Sequence, residues 1–230
     1  MAPSSLFPGG RPLCGEGFNN GESLKKIIWL LLLVSTIALL QCTNSSPAPQ
    51  PDCGFVENSD GQRVSWQGAL PIKVYYDPSV PPQYYQDIQN AADTWTAAMG
   101  QQVFDLQGPL PSNSPSAGNP SQDGVNVIYW LSNWGTQPSN QQANTTIYWV
   151  NNNVTEADVR VNAQNFTFSD SSTTSPANVD VQSLLLHELG HILGLKHDDS
   201  TPSVMATYLQ TGTQRRTLLS SDLSHIQCEY

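Results

Sequence analysis

An alternation of apolar and polar positions opens the regular part of the chain. In LPIKVYYDP the apolar side chains from Ile72 to Tyr76 occupy every second position, and Asp77-Pro78 follows, which predicts a strand that ends there. In the next segment, residues 82–100, apolar positions recur every three or four residues, which predicts a helix with Gly100 as its C-cap. These helix positions are Tyr84, Ile88, Ala91, Trp95 and Met99.

Four more apolar segments predict strands further along the chain. QVFDL and VNVIYWL lie on either side of a loop, residues 107–123, that is rich in Pro, Ser, Asn and Gly. NTTIYWV and ADVRVNAQNFTF follow, and Val159, Val161 and Ala163 of the latter share one face. A strand, a helix and a further strand in succession are typical of a parallel sheet.

Two helices are predicted in the C-terminal part. VDVQSLLLHELGHILGL is apolar on nearly every face, so it predicts a buried helix that has Asn178 or Asp180 as its N-cap and ends at Gly194. LSSDLSHIQCEY predicts a short closing helix with Ser220 or Ser221 as its N-cap. The pair Arg215-Arg216 between the two helices is expected to be a solvated turn.

The composition predicts an uncharged polar surface. Hydrophobic residues make up 38% of the 230 residues and charged residues 12%, and Asn, Gln, Ser and Thr are abundant between positions 107 and 175. The net charge is −10, with nine Lys and Arg. So few basic residues cannot neutralise a phosphate backbone, which argues against nucleic-acid binding. The length suits one domain of about 100 to 200 residues and a leader.

The N-terminal segment has the features of an export signal. Lys25 and Lys26 precede an apolar run over residues 27–40 that is shorter than the roughly 20 residues of a membrane-spanning helix. Cys42 and the Ser- and Pro-rich stretch after it resemble a bacterial lipoprotein signal, although Gln41 departs from the small residue usual before that cysteine. We therefore expect a leader at 1–41, with a lipidated cysteine and tether at 42–53. The protein would be exported to the cell envelope or surface, or secreted, and would touch a membrane only through this lipid or signal anchor.

Residues 1–23 do not fit an export signal, because a stretch with Pro, Gly and Cys14 lies ahead of the lysines. We interpret them as a misassigned start, with Leu24 as a non-AUG initiator. Any peptide from residues 1–23 in the uncleaved precursor would contradict this hypothesis.

Three of the four histidines lie in HELGHILGLKH, residues 187–197. His187 and His191 are four residues apart, so on a helix they share one face and can hold one metal ion. His197 can face the same ion only if the chain turns sharply, and Gly194 permits this turn because glycine enters the left-handed conformation freely. Three histidines suit a catalytic zinc that keeps its fourth position for water. Glu188 is then placed to act as the general base toward that water.

These residues resemble the metzincin clan of zinc peptidases. The pattern His-Glu-x-x-His-x-x-Gly-x-x-His is matched at every fixed position, and SVMAT supplies Met205 for the Met-turn of the clan. Within the clan the chain is most similar to a matrixin of the bacterial lipoprotein type, over residues 70–230. Asp198, after the third histidine, departs from the Ser usual in matrixins and matches the reprolysin-like branch.

The resemblance implies an α/β zincin fold for residues 54–230. This fold has a twisted, mostly parallel sheet of about five strands, a long helix, the zinc-binding helix, the Met-turn and a C-terminal helix. NTTIYWV would be the antiparallel edge strand, along which an extended substrate pairs. Met205 would pack beneath the zinc, and Tyr208 would line the primed-side pocket.

The resemblance also implies the activity, which is that of a zinc-dependent endopeptidase. One Zn²⁺ would be held by His187, His191 and His197, with Glu188 as the catalytic residue. His225 alone remains for any second zinc, so we expect one zinc; the residues neither indicate nor exclude calcium. Protein or peptide substrates are expected, and the enzyme would act as a monomer.

Two cysteines remain for this domain, at its opposite ends. In an oxidising compartment Cys53 and Cys228 would form a disulfide that joins the chain ends. The alternative is a latency switch, because PDCG at residues 51–54 resembles part of the matrixin cysteine switch, in which a thiolate binds the zinc. The available partner cysteine favours the disulfide.

A second function remains open from another class of protein. The chain could be a zinc-holding, non-catalytic peptide-binding lipoprotein of metzincin fold, in which Cys53 closes the zinc site as a fourth ligand. The presence of Glu188 argues against this alternative, because a structural zinc needs no general base.

Overall fold

The computed structural model describes residues 48–173, 175–200 and 202–230. The leader 1–41, the lipidation site Cys42 and the tether up to residue 47 lie outside the described residues, so export, lipidation and the misassigned start stay predictions. None of the helices in the described ranges combines the length and the hydropathy needed to cross a membrane.

The five strands of the main sheet and the three helices follow the predicted order, whereas two short strands, Phe168–Ser169 and Val179–Asp180, were not predicted. Strand β1 (Ile72–Tyr76) leads through a 3₁₀ turn (Pro82–Tyr84) into helix α1 (Tyr85–Met99), where Gly100 is the left-handed C-cap. The remaining elements are β2 (Phe104–Pro109), β3 (Val127–Leu131), β4 (Ala143–Val150), β5 (Asn153–Asn162), β6 (Phe168–Ser169), β7 (Val179–Asp180), α2 (Val181–Ile192) and α3 (Ser220–Ile226).

The main sheet confirms the α/β fold predicted from the resemblance. Its five strands lie in the order β2-β1-β3-β5-β4. All neighbouring pairs are parallel except β4 and β5, which are antiparallel. The segment NTTIYWV therefore forms the antiparallel edge strand, as expected. Strands β6 and β7 form a separate two-stranded parallel sheet.

Helices α1 and α2 pack against each other through a large aromatic side chain. Trp95 on α1 is completely buried, and its indole Nε1–H donates to the carbonyl of Leu186 at 3.0 Å. Burial of its large ring stabilises the helix pair, and the hydrogen bond satisfies the only polar atom of the indole. This contact fixes α2, the helix that carries two of the predicted metal ligands, against α1.

The start of α3 differs from the prediction. The N-cap is Leu219, whereas Ser220 and Ser221 are the first two helical residues. The backbone N–H of Leu219 donates to the carboxylate of Asp222 at 2.7 Å. Asp222 is fully buried and also accepts the hydroxyl of Ser203. The serine predictions were wrong because a buried carboxylate from the first turn satisfies the helix start instead.

A disulfide and a salt bridge join the two ends of the domain. Cys53 and Cys228 form a disulfide, with their Cα atoms 6.2 Å apart, which is the pairing that the sequence favoured over a latency switch. Arg63 and Glu229 form a salt bridge of 2.6 Å beside it, with only 10% and 8% of their side chains exposed. Because both sulfur atoms are used in the disulfide, neither is a metal ligand in this structure.

The buried carboxyl of Asp158 on β5 makes the stability of the fold depend on pH. Its side chain accepts the N–H of Val127 and is 2% exposed, and burial raises its pKa to about 7. From about pH 4 to 7 the folded chain therefore keeps a proton that the unfolded chain has lost, so the free energy of unfolding falls as the pH rises.

We expect Asp158→Asn to remove this pH dependence. The amide oxygen can still accept from Val127, so the variant should raise the free energy of unfolding by about 2 to 3 kcal/mol more at pH 8 than at pH 5. Urea unfolding at the two pH values measures the difference. Asp93→Asn, on the exposed face of α1, is the control. Equal gains for Asp158→Asn at both pH values would contradict the expectation.

Candidate metal centre

Helix α2, which carries two of the predicted metal ligands, begins at a buried N-cap. Asp180 accepts the N–H of Ser183 at 2.9 Å, so Asp180 rather than Asn178 caps the helix. Arg216 donates to both carboxylate oxygens of Asp180. The prediction of a solvated turn was therefore wrong for Arg216, since this ion pair ties the segment before α3 to the start of α2.

The three predicted ligands come together at their Nε2 atoms. The Nε2 atom of His191 lies 3.0 Å from that of His187 and 3.1 Å from that of His197. A tetrahedral zinc with Zn–N distances of about 2.0 to 2.1 Å places its nitrogen ligands about 3.3 Å apart. Three ring nitrogens at this separation fit one zinc ion.

Hydrogen bonds at the opposite ring nitrogens set the tautomers of two ligands. Nδ1 of His187 lies 2.7 Å from the carbonyl of Val204, and Nδ1 of His191 lies 2.7 Å from the carbonyl of Leu195. A carbonyl can only accept, so each Nδ1 carries the proton and each Nε2 presents a lone pair. Such lone pairs repel one another without a cation between them, and this orientation is typical of metal-binding histidines.

Burial keeps the histidines neutral, as metal ligands must be. It lowers the pKa of His187 well below its ordinary value and lowers that of His191 to about 4. Burial also lowers the pKa of His197, the most exposed of the three. The group therefore presents three neutral imidazoles, and among the described residues no other cluster of three or more His, Cys, Asp or Glu could hold a metal.

A sharp turn at Gly194 presents His197 to the other two ligands. Gly194 has φ +100°, and a Cβ atom built there would lie 2.2 Å from the carbonyl oxygen of Val64. Glycine is required at this position for two reasons. A side chain disfavours the positive φ, and a Cβ atom would collide with the segment around Val64. The predicted role of Gly194 as the turning residue agrees with this geometry.

The chain ends described above hold this turn in place. The carbonyls of Ile192, Leu193 and Gly194 accept hydrogen bonds, each of 2.8 Å, from the indole of Trp66, the hydroxyl of Tyr230 and the N–H of Val56. These donors satisfy carbonyls that a helix end leaves without partners.

Glu188 lies next to the ligand cluster and has one polar partner. It is 4% exposed, and its Oε2 accepts the hydroxyl of Thr145 on β4 at 2.5 Å. Burial raises the pKa of Glu188 to about 7, and the hydrogen bond from Thr145 opposes this shift. Sequence analysis missed Thr145, because nothing in an edge-strand threonine signals contact with a helix 43 positions later.

Met205 lies under the cluster, where the Met-turn was expected. It is fully buried, and a Cβ atom at Gly190 would lie 2.4 Å from its sulfur. The carbonyl of Met205 also accepts the N–H of Asp198, the residue after the third ligand. Gly190 was not singled out from the sequence, although a glycine inside a helix signals a close contact of this kind.

The remaining predicted residues lie around the centre. Tyr208 is 67% exposed, and His225 on α3 lies against Gly54, away from the three ligands. Asp198 accepts the N–H and hydroxyl of Ser200.

Comparisons with known proteins point to one family. The sequence profile described as Matrixin matches residues 90–230. Metalloendoproteinase 2-MMP of Arabidopsis thaliana is 38% identical to the chain over 61 residues, which are 26% of this chain and 16% of that relative. The chain thus matches only a small part of the length of that plant protein.

Proposed function

Since the chain belongs to the matrixin family, we propose that it is a zinc-dependent endopeptidase that hydrolyses extended peptide substrates. The observation that carries the proposal is the convergence of three neutral imidazole nitrogens beside a buried glutamate. The plant relative is a metalloendoproteinase by name, and we extend that activity to this chain as part of the proposal.

Each residue of the site has its own role in the proposed mechanism. His187, His191 and His197 would hold the zinc through Nε2. When bound, zinc supplies Lewis acidity, which polarises a carbonyl and lowers the pKa of water toward about 7. Glu188 takes a proton from the attacking water on a carboxylate oxygen and delivers it to the nitrogen of the leaving amine. Thr145 holds that carboxylate beside the ligands.

The edge strand β4 suits the binding of an extended peptide. It has a strand partner on one side only, because β5 pairs with it and no other strand of the sheet does. Thr145 on the same strand reaches Glu188. A peptide that pairs with the free edge therefore runs past the proposed general base, and its backbone supplies most of the hydrogen bonds.

Removal of the metal tests the proposal. The protein from residue 43 onward, loaded with zinc, should cleave peptides of a mixed quenched-fluorescence pool. A chelator should abolish cleavage, and one equivalent of zinc should restore it. Metal analysis should give one zinc per chain, and His191→Ala should lose both metal and activity.

The rival function predicts a different result. A zinc-holding peptide-binding protein would retain one zinc and bind peptides without cleaving any member of the pool. The disulfide between Cys53 and Cys228 uses the cysteine that the rival function needs as the fourth zinc ligand, which favours the peptidase.

A further inference from the structure

Arg215 lies beside the proposed zinc site. Within the part of the chain that the structure describes, it forms no ion pair. Three other basic residues of the described ranges, Arg63, Lys196 and Arg216, each pair with a carboxylate. Among the described residues no carboxylate lies within ion-pair distance of Arg215. Within the described ranges its guanidinium donates to one group, the carbonyl of Tyr208, at 3.2 Å. The other guanidinium N–H groups remain available for a ligand.

Arg215 lines a cavity of about 240 Å³. Val204, Gln214 and Thr217 form further parts of its wall. Because one water molecule occupies about 30 Å³ of the liquid, this volume is large enough for one long side chain.

The cavity shares a wall with the metal centre. Val204, in that wall, accepts the Nδ1–H of the ligand His187. The backbone N–H of Arg215 donates to Ser183 Oγ at 2.7 Å, and Ser183 precedes His187 by one helical turn.

We propose that Arg215 binds a carboxylate of the substrate close to the scissile bond, so that the enzyme prefers peptides with an acidic residue there. This inference rests on the proposed endopeptidase function. A guanidinium offers two parallel N–H donors that match the two oxygens of a carboxylate. The net charge of −10 disfavours acidic peptides at long range, so the preference arises from this local contact.

The carboxylate has two sources, an acidic side chain or the C-terminus of the substrate. Peptide pairs with a single Glu or Gln at each of the three positions before and after the cleaved bond test the side chain. Each pair is made with a free and with an amidated C-terminus, which tests the chain end.

Arg215→Ala and Arg215→Glu show whether Arg215 causes the preference. For the wild type we expect kcat/KM to be roughly tenfold higher for Glu than for Gln at one position. In Arg215→Ala the ratio of kcat/KM for Glu to that for Gln should fall to about one. Arg215→Glu should instead prefer Lys at the same position. The backbone hydrogen bond to Ser183 is retained in both variants, so their folding and zinc content should be unchanged. Lys73→Glu, on an exposed strand position, makes the same charge change away from the site and should keep the wild-type ratio.

The controls separate failure of this inference from failure of the proposed function. Cleavage without any preference for Glu or for a free C-terminus, or a preference that survives in Arg215→Ala, overturns the inference and leaves the peptidase intact. If no peptide is cleaved, the peptidase proposal fails. Affinities of the fluorescent Glu and Gln peptides for the zinc-loaded protein and for Arg215→Ala then decide the inference, and equal affinities overturn it.

Discussion

Glu188→Gln is expected to lower kcat by about 100- to 10,000-fold, the range that a general base contributes. The glutamine amide has the shape of the carboxylate, and its oxygen can still accept the hydroxyl of Thr145, which now lies 2.5 Å from Glu188. It cannot take a proton from water. Because the three histidines are unchanged, the variant should bind one zinc.

Single-turnover cleavage of one peptide from the pool measures the effect, with zinc content determined on the same samples. Glu156→Gln is the matched control, because Glu156 is also buried and accepts two backbone N–H groups, from Asp123 and Gly124, away from the histidines. We expect the control to keep the wild-type kcat. A Glu188→Gln protein that retains a tenth or more of the activity would show that another group takes the proton.

Gly194→Ala is expected to destabilise the protein by at least about 3 kcal/mol and to weaken zinc binding. A left-handed conformation costs alanine about 1 to 2 kcal/mol, and Gly194 has φ +100°. The new Cβ atom would in addition lie 2.2 Å from the carbonyl oxygen of Val64, so one of the two backbone segments must move. Because the turn presents His197, its movement separates the third ligand from the other two.

Gly100→Ala isolates the conformational part of this cost. Gly100 has φ +65° at the end of α1, and no atom lies within 4 Å of the position of its Cβ. We expect this control to lose about 1 to 2 kcal/mol and to keep its zinc affinity. Urea unfolding gives the stabilities, and competition with a chromogenic chelator gives the zinc affinities. Equal losses for the two variants would show that the segment around Val64 does not constrain the turn.

The group of three histidines is the part of the site that the sequence predicted almost alone. His187 and His191 are four residues apart on one helix, and local helical geometry is enough to bring them together. His197 follows within the same short segment, and Gly194 signals the turn. The order and type of the five strands of the main sheet and of α1 were also predictable, because apolar periodicity reports which face of each element is buried.

Only the tertiary structure decided which distant residues serve the site. Thr145 reaches Glu188 because β4 is the edge strand beside α2, and the carbonyls at the end of α2 find their donors in Trp66, Val56 and Tyr230. Arg216 is paired and Arg215 is not, although the two are adjacent, because only Arg216 reaches Asp180. Such contacts join residues far apart in the chain and follow no period, so local pattern carries no information about them. The sequence alone predicted the group of three histidines, and the packing of the chain ends and of the edge strand decided what surrounds that group.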